Sequence, residues 1–578
     1  MTKQTFSSQP ARPSFAELFT PKLVTVLREG YTLANFRADL MAGLTVAIVA
    51  LPLSMAIAIG SHATPAQGLY TSIIGGFVVS ALGGSRFQMG GPAGAFIVLV
   101  AATVQQHGMD GLILATILAG LILMAIGYLR LGTYIKFIPY PVTIGFTAGI
   151  AVTIFSSEIK DLFGLSFEGS EPGPLLEKIP FLWANMASFS PAAIALSVAS
   201  IALLAVLRIK RPRWPAMLIV VTLAALATAL FSLPVATIGS QFGGIPRSLP
   251  LPALPEISLA KLQAVLPNAV SFALLGAIES LLSAVVADSM TGRRHRSNCE
   301  LVGQGVANIA SGLFGGICVT GTIARTATNV RAGAHGPISG MMHSVFLLLF
   351  ILVAAPLASY IPLAVLAAVL AVVCWNMVER HAFAALVKGS RGDAAVLLST
   401  LFITLFFGLT EAIVVGFALG SVLFIHRMSQ TTAVEANMPL VREDIADDQT
   451  RDGYDERTQQ DPGTVVYRIS GALFFGAAAS IGTVLERIGD DHRDLVIDFS
   501  TVPFVDSTGA RTIEGLAQKA AGRGIGVYIT GASPSVRREL AAQGVQPPLV
   551  HRVAGIEQAL RQIRQKRRPA QHAPALAG

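Results

Sequence analysis

Arg325 lies in the stretch ICVTGTIARTATNVRAGA, 317–334, a few residues past the apolar Leu313 and Phe314. An unpaired charge at membrane depth is costly, so a guanidinium there points to a functional site. Thr320, Gly321 and Thr322 read as the entry to a helix that starts partway through a bilayer. Such a start presents free backbone N–H groups and the positive end of a helix dipole, which together suit an anion. A second stretch, MGGPAGAFIVLV at 89–100, has a Gly-Gly-Pro break and then a new apolar helix. Pro92 fits a first-turn position, and Gly90, Gly91 and Gly94 let backbone approach a ligand closely. Interrupted apolar segments in corresponding halves of a chain mark the site of transporters built from inverted repeats. Each segment taken alone also fits an ordinary kinked membrane helix, since Gly and Pro are common there.

Between these stretches lies GAIESLLSAVVADSMTG, 276–292. Glu279 sits deep in an apolar run, and Ser283, four residues on, projects from the same helix face. A carboxylate in that setting can exchange protons, as transporter relays do, or pair structurally with Arg325. Asp288 lies beside a basic loop and reads as a structural or gating partner. In LPLSMAIA, 51–58, Pro52 and Ser54 either open backbone and a hydroxyl toward the same region or mark a simple kink. His335 and His343 flank the end of the Arg325 segment and read as hydrogen-bonded structure before proton carriers, while Asn329 and Arg331 read as groups that cap and orient it before substrate contacts. No Walker loop, nucleophile elbow, hydrolase triad or metal quartet is present, so neither an enzyme nor a metal or cofactor is expected.

These groups need membrane spans to position them. Of 578 residues, 53% are hydrophobic and 13% charged, with a mean hydropathy of +0.62. A soluble domain carries about 25% charge. The chain therefore reads as a polytopic membrane protein embedded in a lipid bilayer. The polar N-terminal residues, with Pro10, Pro13 and Pro21, do not resemble a cleavable signal. Cys299, Cys318 and Cys374 lack metal-like spacing, and no disulfide framework is expected. The net charge of +8 sits largely in short loops and tails and implies no nucleic-acid partner.

Apolar segments run near 40–60, 67–83, 92–106, 110–130, 139–157, 190–208, 213–231, 265–288, 300–315, 320–333, 337–355, 361–375, 392–408 and 410–428. With the N-terminus in the cytoplasm, the inside loops carry Arg86, Arg130, Lys136, Arg208, Lys210, Arg211, Arg213, Arg293, Arg294, Arg296, Arg331, Arg380, Lys388 and Arg391. The long segment 158–189, with Glu158, Asp161, Glu168, Glu171 and Glu177, then lies outside. This agreement with the positive-inside rule places both termini in the cytoplasm. The expected domains are a cytoplasmic tail, 1–38; a transporter domain, 39–430; a cytoplasmic α/β domain with a charged linker, 431–566; and a disordered tail, 567–578. In the α/β part, strands are expected at 464–469, 494–499 and 525–530, alternating with helices at 476–488, 507–522, 533–543 and 555–566.

GGPAG at 90–94, GAIESLLSAVVAD at 276–288, NCELVGQGVANI at 298–309 and TGTIARTATNVRAGAHGPIS at 320–339 resemble the SulP family of anion permeases. DFSTVPFVDSTGARTIEGL, 498–516, resembles the sulfate-transporter and anti-sigma-antagonist (STAS) domain those permeases carry. The resemblance implies about fourteen segments in two inverted repeats of seven, divided into core and gate, often in a homodimer of the bacterial inner membrane. It implies an anion held between half-helices around Ala93, Gly94 and Ala95 and around Ile323, Ala324 and Arg325, with Ser54, Glu279 and Ser283 completing the site. Sodium-coupled bicarbonate carriers of the family have Asp and Thr at the positions of Glu279 and Ser283, so Glu and Ser here favour protons over sodium. The IESLL and IARTATNVRAGA wording is most similar to the proton-coupled C4-dicarboxylate branch, whose substrates include succinate, fumarate and aspartate. Sulfate or bicarbonate carriage is the alternative, and Ala324, where some relatives have Ser, removes a hydroxyl from that site. Ser507 matches a serine phosphorylated in soluble anti-sigma antagonists, or serves as a helix N-cap; the STAS domain also implies a cytoplasmic protein partner. A passive anion channel and a transporter-shaped sensor are the other classes such a scaffold supports.

Overall fold

The computed structural model describes residues 14–132, 139–167, 172, 175–211, 214–407, 409–430, 433–436, 463–474 and 493–567. The expected helix 476–488 and the charged linker lie outside them. The chain divides into two compact units, Met1–Gly420 and Ser421–Gly578.

The first unit is helical: α1 Phe15–Phe19, α2 Lys22–Arg28, α3 Leu33–Gly60, α4 Pro65–Tyr70, α5 Gly76–Leu82, α6 Ile97–Tyr128, α7 Tyr140–Phe163, α8 Leu175–Ala184, α9 Pro191–Lys210, α10 Ala216–Phe231, α11 Ile238–Phe242, α12 Leu259–Thr291, α13 Ser297–Leu313, α14 Ile323–Arg331, α15 Ile338–Ala358, α16 Leu363–Met377, α17 Arg380–Lys388, α18 Arg391–Phe406 and α19 Leu409–Gln430, whose last turns belong to the second unit. Among the described residues, seven helices are long and apolar enough to cross a membrane. The first begins at Leu33, inside the stretch read as tail, because Thr32 caps it by accepting from the Asn35 N–H. α12 is likewise longer than its apolar core: Ser258 caps its start and Gly292, at φ 69°, its end. The two spans read at 92–106 and 110–130 meet at Gly108, whose φ of 69° interrupts α6 between them and is rarely adopted by a residue with a Cβ.

The helices pack as two groups. In one, α6 lies against α12 and α13, and α15 against α3 and α5. In the other, α7 packs on α16 and α18, and α9 on α10 and α16. Small residues set the closeness within each group, as membrane helices require. A Cβ on Gly120 of α6 would meet the Gly305 carbonyl of α13 at 2.5 Å, and one on Gly305 would meet the Gly120 carbonyl at the same distance.

The second unit is a five-stranded sheet in the order β3 Ala433–Ala436, β4 Thr464–Ser470, β5 Asp494–Thr501, β6 Gly526–Thr530 and β7 His551–Arg552. β4 to β7 are parallel, and β3 is antiparallel to β4. β5 is buried on both faces: α20 Ser507–Gly522 and α21 Pro534–Ala542 cover one, and α22 Ile556–Arg567 the other. The short strands β3 and β7 have too few apolar residues to announce themselves in the sequence.

Candidate functional site

The site begins with two short strands, β1 Gly90–Gly91 and β2 Thr320–Gly321, which run antiparallel with Gly90 opposite Gly321 and Gly91 opposite Thr320. The Thr322 N–H extends the pair by donating to the Met89 carbonyl at 2.9 Å. Each strand leads into a helix, β1 through the 3-10 turn Gly94–Phe96 into α6 and β2 into α14. The crossing thus brings two helix N-termini together. Neither start is capped by a side chain. The Ala93 side chain has no oxygen to offer, and the Thr322 hydroxyl instead donates to Met89 O at 3.3 Å. First-turn N–H groups without an intrahelical acceptor are left for a ligand.

Arg325 lies behind this crossing and is 1% exposed. Its Nη1 donates to Ser72 Oγ at 3.2 Å, and its Nη2 to Ser54 Oγ at 3.1 Å and to Pro92 O at 3.3 Å. All three acceptors are neutral. Gly91 is required here, because a Cβ would land on Arg325 Nη1. Arg325 therefore supplies positive charge to the two half-helix starts and ties α3, the π-helical turn Thr71–Gly75 and β1 together.

α12 is strapped to the same crossing. Gln88 Nε2 donates to Ser280 O at 3.1 Å and to Ser280 Oγ at 2.8 Å, and Thr320 Oγ1 donates to Gly276 O at 3.2 Å. Ser283 Oγ donates to Thr326 Oγ1 at 3.0 Å, and the Met89 N–H reaches the same oxygen at 3.0 Å. Glu279 sits between these anchors, partly exposed, and accepts no hydrogen bond from the described residues.

The residues read from the sequence therefore separate into two layers. Glu279, Gly94, Ile323 and Ala324 reach the accessible surface, with Ile323 39% exposed. Ala93 and Ala95 are buried and contribute backbone. Ser54, Ser283 and Arg325 are buried, each hydrogen-bonded to protein groups. Arg325 forms no pair with Glu279, contrary to the structural alternative. Ser72, Gln88 and Thr326 escaped the sequence reading. Gln88, a polar residue beside Gly-Gly-Pro, was the one visible signal; the other two matter only through partners far away in the chain.

The flanking groups are mostly structural. Asn329 Nδ2 donates to Phe87 O at 3.0 Å and Ser339 Oγ at 2.9 Å. Buried Asp39, the first residue of the expected transporter domain, accepts the His335 and Gly336 N–H groups at 2.6 and 3.0 Å and fixes the end of α14. Asp288 is held by His295, whose Nδ1 lies 2.6 Å away. His343 departs from expectation: it is fully buried, yet neither ring nitrogen has a hydrogen-bond partner.

In the second unit, the cap of α20 is Asp506, which accepts the Gly509 N–H at 2.7 Å. The N-cap reading of Ser507 is thereby corrected: it is the first helical residue and is exposed. Asp498 is buried, which alone would raise its pKa. Hydrogen bonds from Ser500, Arg468 and Thr530 overcome that and hold it below the usual carboxylate range.

The description "Sulfate permease family" matches residues 36–400, and "STAS domain" matches 457–556. YvdB of Bacillus subtilis, whose name assigns it provisionally to sulfate transport, is 40% identical over 83% of this chain and 88% of its own. The bicarbonate transporter BicA of Synechocystis is 32% identical over 88% of this chain and 90% of its own. A solved transmembrane domain of a cyanobacterial BicA covers 68% of this chain and 98% of its own, at 30% identity and a TM-score of 0.60. Over the full length, the structure of SLC26A9 superposes with a TM-score of 0.81 at 18% identity, covering 96% of this chain and 94% of that one. The C4-dicarboxylate assignment finds no support among these proteins, of which YvdB is named for sulfate and BicA for bicarbonate.

Proposed function

Because the chain belongs to the sulfate permease family and is a multi-pass anion transporter with a C-terminal STAS domain, we propose that it is a secondary active, proton-coupled carrier of a small oxyanion. Sulfate and bicarbonate are the leading substrates, after the names of its relatives. The observation that carries this reading is the crossing itself: two uncapped helix starts, backed by a buried guanidinium whose hydrogen-bond acceptors are all neutral. An anion on the N–H groups near Gly94 and Ala95 and near Ile323 and Ala324 does the work of the missing caps and balances Arg325. Glu279 is the only carboxylate of the named site and the only group there able to carry a proton. Binding of proton and anion together neutralises the site, so both cross as the first helix group moves against the second. The protein functions as a homodimer in the bacterial inner membrane with both termini cytoplasmic. The STAS domain engages a cytoplasmic protein, with exposed Ser507 as its phosphorylation point.

Uptake into proteoliposomes of purified protein tests this. Labelled sulfate, bicarbonate, fumarate and succinate are offered in parallel, with an inward proton gradient, with a sodium gradient and with neither. Sulfate or bicarbonate accumulation that collapses with a protonophore is expected. Accumulation driven only by sodium removes the proton role. Accumulation of a dicarboxylate alone removes the oxyanion assignment.

A further inference from the structure

Beyond the C-terminal end of α3, where the two helix groups meet, lies a cavity of ≈ 770 Å³. Gly60, His62 and Gln105 line it from the first group, and Glu158, Lys160 and Leu363 from the second. Gly60 follows Ser54 by six residues, about 9 Å along the helix. It therefore stands about 9 Å outward of the layer where Ser54 holds Arg325. A Cβ on Gly60 would meet Glu158 Oε1 at 2.8 Å, Leu370 Cδ1 at 3.4 Å and Ile97 Cγ2 at 3.6 Å. These neighbours come from α7, α16 and α6, and Ile97 directly follows the half-helix start Gly94–Phe96. Glu158 is 4% exposed although it lines the cavity. Side chains from both groups thus close over a residue that has none, and one layer of them separates the cavity from the half-helix start.

We propose that Gly60 and Glu158 form the outer gate of the anion route. Glu158 on α7 fills the space above Gly60 when the route is closed, and it leaves that space when the second helix group moves against the first. Gly60 is the hinge point of this contact because any side chain there occupies the seat of the carboxylate. The proposal deepens the transporter reading and rests on it for the route and on the positive-inside rule for which side is outer. It assigns Glu158 as a positioning residue, distinct from the proton-carrying part given to Glu279.

The test is labelling of full-length protein in intact cells, with Cys299, Cys318 and Cys374 replaced by serine and 2-sulfonatoethyl methanethiosulfonate as the membrane-impermeant probe. His62→Cys, in the cavity wall, reacts fast from outside. Ile97→Cys, beneath the closed layer, reacts roughly tenfold more slowly, as a gated position does. Adding Glu158→Ala raises the Ile97→Cys rate toward that of His62→Cys, whereas Glu158→Gln, which keeps the size, leaves it slow. An Ile97→Cys rate indifferent to Glu158→Ala overturns the gate, and failure of His62→Cys to react from outside overturns the location. Gly60→Ala gives an independent readout, a fall of roughly tenfold in maximal transport rate with anion affinity unchanged; an unchanged rate refutes the seat. Labelling depends on neither the anion nor the coupling ion, so an error in those assignments leaves it unaffected.

Discussion

Removing the Arg325 guanidinium weakens anion binding through space, because the group stands behind the half-helix starts and acts on the anion by its charge. Nη2 of Arg325 touches the Pro92 carbonyl at 3.3 Å. The N–H groups at Gly94 and Ala95 lie two and three residues further on, the nearer about 8 Å away at 3.8 Å per residue. A unit positive charge at about 8 Å, in an effective dielectric of about 20, is worth roughly 2 kcal/mol to an anion. Arg325→Ala therefore raises the anion Kd roughly thirtyfold. Arg325→Lys separates charge from architecture. It keeps the cation, so Kd rises less than about fivefold, but one ammonium cannot hold both Ser72 and Ser54 as the fork does. Losing one such charge-assisted bond costs about 1.5–3 kcal/mol of stability. The assay is anion-dependent thermal stabilisation of the purified protein, read as Kd from the shift with anion concentration, alongside the melting temperature without anion. If Arg325→Ala is folded and its Kd stays within about threefold of wild type, the electrostatic reasoning is refuted and the backbone N–H groups bind alone.

Glu279→Gln abolishes accumulation driven by a pH gradient but leaves exchange of labelled anion across proteoliposomes; pH-driven accumulation at the wild-type level removes Glu279 from coupling. Thr326→Val strands the Met89 N–H and the Ser283 hydroxyl, both buried, at about 1–3 kcal/mol for each orphaned group. Its melting temperature falls clearly below wild type, whereas Thr326→Ser, which keeps the oxygen, stays close. In the second unit, the depressed pKa of Asp498 contributes stability that is fully present above the unfolded value, about 3.9, and is lost as pH falls through the lower folded value. Hydrogen exchange read on peptides of 463–567 should lose protection below about pH 4 in wild type. Asp498→Asn should start less protected at neutral pH and change less on acidification.

The breaks at Gly90-Gly91-Pro92 and at Thr320-Gly321-Thr322 were legible because helix interruption is written locally, in residues that cannot continue an apolar helix. Glu279 and Arg325 were legible because ionised groups are conspicuous inside apolar runs. The partners of Ser54 and Ser283 could not be read, since helix spacing tells which face a hydroxyl shares but not what already holds it. Ser54 is bonded to Arg325, 271 residues away, and Ser283 to Thr326, 43 residues away. The cap of α20 went to Asp506 over Ser507 because a carboxylate one residue earlier reached Gly509 first, a matter of backbone geometry.

By itself the sequence determined that this chain spans a membrane, carries a separate α/β unit and places Arg325 and Glu279 amid apolar segments. Those are consequences of composition, periodicity and desolvation cost, which act along the chain. Only the tertiary structure decided that the two helix starts meet at a single strand pair, that Arg325 stands behind them held by neutral oxygens, and that Glu158 closes over Gly60. Each of these depends on segments far apart in the chain packing together, and local spacing carries no information about which distant group will arrive at hydrogen-bond distance.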